Sequence, residues 1–174
     1  MPLELGPCQV LFGTDGAEED LGKTEGGVVI TFATDVVDLL SDQYGTSPED
    51  QVISGHKATI TCPLAEISLD NLALALNQSV KELGDDSGIA GSNLVGTKLS
   101  GKANSLLLKK YVDGSVSADT QDWIRFGKAA PQGNFDYSFT KDGQRIINTV
   151  FTAFFDDDGY LYYIGDETAA TTGS

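Results

Sequence analysis

Apolar and polar residues alternate with a period of two along much of this chain, and that pattern restricts it to β architecture. In Gly26–Thr34, Val28, Ile30 and Phe32 point one way while Val29, Thr31 and Ala33 point the other. Val52–Cys62 repeats the pattern, with Ala58, Ile60 and Cys62 opposite Thr59 and Thr61. Phe135, Tyr137 and Phe139 alternate with Asp136 and Ser138 as a half-buried strand. Shorter apolar runs at Val10–Phe12, Ser105–Tyr111 and Asp122–Lys128 join the long run Arg145–Phe155. Turn signals separate them at Gly13, Asp113-Gly114 and Lys141-Asp142-Gly143. Asp156–Gly159 is a further turn that leads into Tyr160–Ile164, so a terminal hairpin is expected. The count is eight or nine strands.

The period changes once. Leu69, Leu72, Ala73 and Leu76 fall at helical spacing, with Ser68 as N-cap and Asp70 in the first turn, which predicts one helix over about 67–78. Between strands, Asp15–Thr24 reads as an acidic loop. Asp35–Gln51 reads as a strand leaving the core, a long mobile polar tip with Gly45 and Pro48, and a return at Val52. Residues 84–104 are polar and glycine-rich, and Thr168–Ser174 reads as a frayed terminus. The expectation is therefore a single, mainly β domain over 1–174. It is a two-sheet β-sandwich or barrel with one flanking helix and a long extended loop at about 36–51.

Charge narrows the function classes. Eleven basic against 26 acidic residues give a net charge of -15, which argues against gripping nucleic acid or anionic membrane. The excess is uneven: residues 1–60 carry eleven acids and two bases, 61–150 carry ten and nine, and 151–174 carry five and none. Such a surface either keeps a chain soluble or lets a polyanion pass without sticking. No apolar run approaches the length of a membrane span, and the N-terminal Met-Pro-Leu-Glu-Leu-Gly has no signal-peptide pattern. The Asn77-Gln78-Ser79 sequon therefore carries no weight, and Cys8 and Cys62 are expected as buried free thiols in a reducing cytoplasm.

Catalytic signatures are missing from the sequence. Gly22-Lys23-Thr24 would need glycine at position 17 to form a phosphate-binding loop, but Ala17 stands there. Glu18, Glu19 and Asp20 would repel a phosphate, and a strand follows where that motif needs a helix. Asp156-Asp157-Asp158-Gly159 lacks the alternating oxygens and terminal Glu of a calcium loop. His56 is the only histidine, and there is no Gly-x-Ser-x-Gly elbow to pair with it. No enzyme activity, cofactor or metal is expected. The aromatics point instead to contact surface: Phe151, Phe154, Phe155, Tyr160, Tyr162 and Tyr163 would place rings on both sides of the terminal hairpin.

In order and spacing, several stretches resemble the tail tube (major tail) proteins of long-tailed bacteriophages. They are Leu-Gly-Pro-Cys-Gln-Val-Leu-Phe-Gly at 5–13, Asp-Leu-Gly-Lys-Thr-Glu-Gly-Gly-Val at 20–28 and Asp-Gln-Tyr-Gly-Thr-Ser-Pro-Glu-Asp at 42–50. Pro-Leu-Ala-Glu-Ile-Ser-Leu-Asp-Asn-Leu-Ala-Leu-Ala-Leu at 63–76, Phe-Thr-Lys-Asp-Gly-Gln-Arg-Ile-Ile at 139–147 and Asp-Gly-Tyr-Leu-Tyr-Tyr-Ile-Gly-Asp at 158–166 continue the match. The resemblance implies a structural virion protein whose hexameric rings stack into a tail tube through which DNA passes into the host. It implies that Asp42, Gln43, Tyr44, Gly45, Thr46, Ser47 and Pro48 belong to a ring-stacking loop. Glu18, Glu19, Asp20, Asp156, Asp157 and Asp158 are candidate lumen or surface acids. The implied partners are other copies of the chain, a tape-measure protein, a tail terminator and baseplate or tail-tip proteins. Viral DNA would transit without specific binding, and this subunit would bind no membrane. The implied location is the virion tail, assembled in the host cytoplasm. Two alternatives stay open: the tube protein of a contractile secretion or bacteriocin-like apparatus, and a monomeric β-sandwich ligand-binding module.

Overall fold

A computed structural model of the chain describes residues 7–40, 42, 45–78, 80–83, 85–134 and 146–171. Among them the strands are β1 (Cys8–Thr14), β2 (Ala17–Asp20), β3 (Val29–Leu40), β4 (Pro48–Leu64), β5 (Val80–Leu83) and β6 (Asp86–Ile89). They continue with β7 (Asn104–Val112), β8 (Ser115–Val116), β9 (Trp123–Pro131), β10 (Ile147–Phe154) and β11 (Tyr163–Ile164). Helix α1 (Leu69–Ala75) follows β4, and α2 (Glu167–Thr171) follows β11. The chain is mainly β with a flanking helix, as its periodicity predicts.

Nine strands join one antiparallel sheet in the order β2-β1-β7-β9-β10-β4-β3, with β11 added to β9 and β8 to β7; β5 and β6 form a separate hairpin. The large sheet curls until its halves face each other. Phe12 of β1 and Phe151 of β10 are separated in the sheet by β7 and β9, yet their ring centroids lie 5.2 Å apart. Residues 23–25 help close the curl against the end of β4: Ala65 N–H donates to Lys23 O at 2.8 Å and Glu25 N–H donates to Pro63 O at 3.0 Å. The two facing layers are thus parts of one continuous sheet.

Period-two burial builds the core between those layers. Ala58, Ile60, Cys62 and Leu64 of β4 pack with Ile147, Phe151 and Ala153 of β10 and with Val10, Leu106, Leu108 and Phe126 of the facing layer. Thr149 occupies one inward position of β10, buried and without a hydrogen-bond partner for its hydroxyl.

Several expectations are corrected. The helix is capped by Ser68, whose Oγ accepts from Asn71 N–H at 3.1 Å, but only half of the expected face turns inward: Ala73 is buried and Leu72 packs against the core. Leu69 and Leu76 are exposed, while Asn71, Ala73 and Ala75 are buried. The rotation follows from Asn71, whose amide donates to the carbonyls of Leu21 and Glu66 at 2.9 and 3.0 Å and ties the helix to both neighbouring segments. Residues 15–24 hold β2 rather than a plain loop, because β1 offers a free edge from Leu11 to Thr14. Residues 84–104 include one strand of the β5–β6 hairpin and a turn of 3-10 helix at Leu99–Lys102.

The terminal hairpin does not form. The chain loops out after Phe154 and rejoins the same edge of β9, where Tyr163 and Ile164 pair with Arg125 and Ile124. Residues 168–171, expected to fray, lie in α2. The strand expected at 135–139 and the turn at 141–143 lie outside the described residues.

Candidate functional site

The feature that sets this molecule apart from a closed β domain is an arm. Strands β3 and β4 stay paired from Val29–Thr61 out to Leu40–Pro48, far beyond Ala58, the last fully buried position of β4. The expected loop at 36–51 is therefore a regular hairpin for most of its length. Its β-branched pairs account for this, since Val36 faces Ile53 and Val37 faces Val52 across the strands. Only the tip is a turn. Asp42, Gly45, Thr46 and Ser47 lie in it, Gly45 with φ of 64°, and Pro48 begins β4; Gln43 and Tyr44 fall outside the described residues.

Two irregularities bend the arm, at Asp35/Val36 and at Leu39/Leu40, each adding a residue on the β4 side. Below the first, polar contacts fasten the strands: Lys57 Nζ lies 2.6 Å from Asp35 Oδ2, and Thr34 Oγ1 lies 3.2 Å from His56 Nδ1. His56 thus sits at the arm's root with a threonine beside it. Phe32 packs on Tyr162 with centroids 4.7 Å apart, which braces the arm against the loop after β10. Above the bend, apolar residues occupy both faces. Val36, Ile53 and Leu40 share one face, and Val37, Val52 and Leu39 share the other, all between 47% and 62% exposed.

The six candidate acids are not gathered into one site. Glu18, Glu19 and Asp20 lie on β2, at the opposite end of the sheet from β3. Asp20 is engaged there, accepting from Gln9 Nε2 at 2.6 Å and Gly22 N–H at 2.8 Å. A cavity of about 310 Å³ nearby is lined by Glu19, Asp20, Glu66 and Asp70. Asp156 is half-buried and organises its own loop: Oδ1 accepts from the N–H groups of Asp158 and Tyr160 at 3.1 and 2.8 Å, and Oδ2 accepts from Tyr163 Oη at 2.7 Å. Asp157 is exposed and paired with Lys128, and Asp158 is exposed. Of the trio, Asp157 and Asp158 are the exposed residues, Asp157 with its charge matched by Lys128.

Arg125, which the sequence reading did not single out, holds three segments together. Its guanidinium pairs with Asp15 in the β1–β2 turn and with Glu167 at the start of α2. Burial alone would lower its pKa; those two carboxylates outweigh this and raise it. An arginine set between the apolar Ile124 and Phe126 is the available signal. Both cysteines are free. Burial raises the Cys8 thiol, and burial with the nearby Cys8 pushes Cys62 up to about 12. Among the described residues no group of three or more metal-binding side chains converges, and no helix is long and apolar enough to cross a membrane. Compared with known proteins, the chain matches no family model and no curated sequence.

Proposed function

We propose that this chain is the tail tube subunit of a long-tailed bacteriophage, assembling into hexameric rings that stack around a DNA channel. The observation that carries the reading is the β3–β4 arm, a long paired hairpin with exposed apolar residues on both faces and little of it covered by its own chain. An isolated two-stranded hairpin is marginal in water, and contiguous apolar surface of this kind marks an interaction site.

Two further features support the reading. The outer edge of β3 has no strand partner among the described residues and carries only Asp35 and Asp38 as charges, so it is a template for pairing with another sheet. The β2 edge is short and acidic, with Glu18, Glu19 and Asp20, which discourages indiscriminate pairing. The net charge of -15 lets phosphate-bearing DNA slide past a lined channel without being held. A tape-measure protein, a tail terminator and baseplate or tail-tip proteins would complete the assembly in the virion. Sedimentation of the purified chain at rising concentration, with and without preformed nuclei, tests this. Hexamers and stacks of hexamers are expected, and a strictly monomeric species throughout contradicts the reading.

A further inference from the structure

Beyond Asp35 the arm carries charge of one sign. Residues 36–53 include Asp38, Asp42, Glu49 and Asp50 and no Lys, Arg or His. One other stretch is its opposite: residues 87–112 contain Lys98, Lys102, Lys109 and Lys110 and no Asp or Glu, in a chain with net charge -15. Lys109 stacks on Trp123 and Lys110 pairs with Asp122, so those two are committed to their own surroundings. Lys98 and Lys102 instead line a cavity of about 220 Å³ together with Leu76, Leu94 and Leu99, and among the described residues no carboxylate lines it. Lys98 is exposed, and Lys102 is held in place by donating to Asn77 O at 2.8 Å. The pocket combines three leucines with two lysines among otherwise polar lining, and the arm tip combines Leu39, Leu40 and Pro48 with negative charge.

The arm cannot reach the pocket of its own chain. Gln132 and Gly133 form one wall of the pocket, and Gln132 N–H donates to Val150 O at 2.8 Å. Val150 is paired with Thr61 of β4, whereas the tip begins at Pro48, thirteen positions earlier on the same strand. At about 3.3 Å per residue that is roughly 40 Å of strand. Tip and pocket therefore lie towards opposite ends of one long strand, the arrangement that gives head-to-tail contacts and an open-ended stack.

We infer that the pocket bounded by Leu76, Leu94–Lys102 and Gln132–Gly133 receives the acidic arm tip of a second copy of this chain. The inference rests on the assembly reading above and adds the receiving surface, which gives residues 94–102 a role. Zero-length carbodiimide cross-linking of assemblies made from mixed light and heavy-nitrogen chains tests it directly. The expected products join Lys98 or Lys102 to Asp38, Asp42, Glu49 or Asp50 between differently labelled chains. In parallel, Lys98→Glu should leave the monomer's melting temperature unchanged and raise the concentration needed for assembly about tenfold. Combining it with Glu49→Lys and Asp50→Lys should restore assembly. Wild-type assemblies whose arm acids couple to other lysines, or a Lys98→Glu chain that assembles at the wild-type concentration, overturn this docking site and leave the tube reading standing. A wild-type chain that never assembles overturns both.

Discussion

Asp156 shows how one side chain fixes a segment of irregular backbone. Its carboxylate satisfies two backbone N–H groups and the Tyr163 hydroxyl, and it lies so close to Gly127 that a Cβ there would fall 3.1 Å from its own Cβ. Asp156→Ala is expected to destabilise the fold by about 1–2 kcal/mol in urea denaturation, since the buried Tyr163 hydroxyl loses a charged acceptor. The opposite sign is expected at Thr149, where the buried hydroxyl has no partner. Thr149→Val keeps the shape and removes that desolvated group, so it should raise stability by about 1 kcal/mol, read as a higher melting temperature. Cys62 makes the fold sensitive to alkali. Its folded pKa is raised from 9.0 to about 12, so the thiol's contribution is complete below the unfolded value and is lost as pH rises through the folded one. Burial and the Asp156 carboxylate raise the Tyr163 phenol too, and this acts in the same direction. Melting temperature measured across that range should fall from about pH 9 towards pH 12, and Cys62→Ser should flatten the decline. The sequence announced a turn at Asp156–Gly159, but not that its first residue binds Tyr163; that bond depends on where β11 rejoins the sheet.

At the scale of elements, local patterning and tertiary demand separate cleanly. Alternation marks the inner half of β4, which has one face on the core, while unbroken apolar runs mark β1, β7 and β9; in β7 both faces are covered from Ser105 to Leu108. How far the strand continues into the 36–51 extension is hidden in the sequence, because its apolar residues come as the neighbours Val36-Val37 and Leu39-Leu40, which point to opposite faces and so show no single-sided period. The helix lies where its spacing predicts, with Leu72 and Ala73 inward, but Leu69 and Leu76 turn outward because spacing of leucines cannot reveal a polar anchor such as Asn71. The last strand was assigned to a hairpin because nothing local tells β11 to pair with β9 instead of β10. The arm's exposure carries its own prediction. Val36→Ser with Ile53→Ser should change monomer stability by no more than about 0.5 kcal/mol, as for other exposed positions. The same pair should abolish assembly in sedimentation. A large loss of stability without loss of assembly would mean that the arm serves its own chain.

Across the whole molecule, the curled sheet leaves two unlike edges and one projecting hairpin. The β3 edge is long and nearly uncharged, the β2 edge is short and acidic, and the arm presents apolar pairs in two directions. Composition alone conveyed an acidic β protein without catalytic signatures, and ring and tube came from the resemblance carried by the segment order. The fold adds a physical motive for assembly, since exposed apolar pairs and an open edge lower their free energy when another copy covers them. The most direct test is negative-stain electron microscopy of the concentrated full-length chain beside the Val36→Ser, Ile53→Ser variant. The account predicts six-fold rings with a central hole stacking into tubes for the natural sequence, and no tubes for the variant. Featureless monomers from the natural chain under nucleating conditions would contradict it.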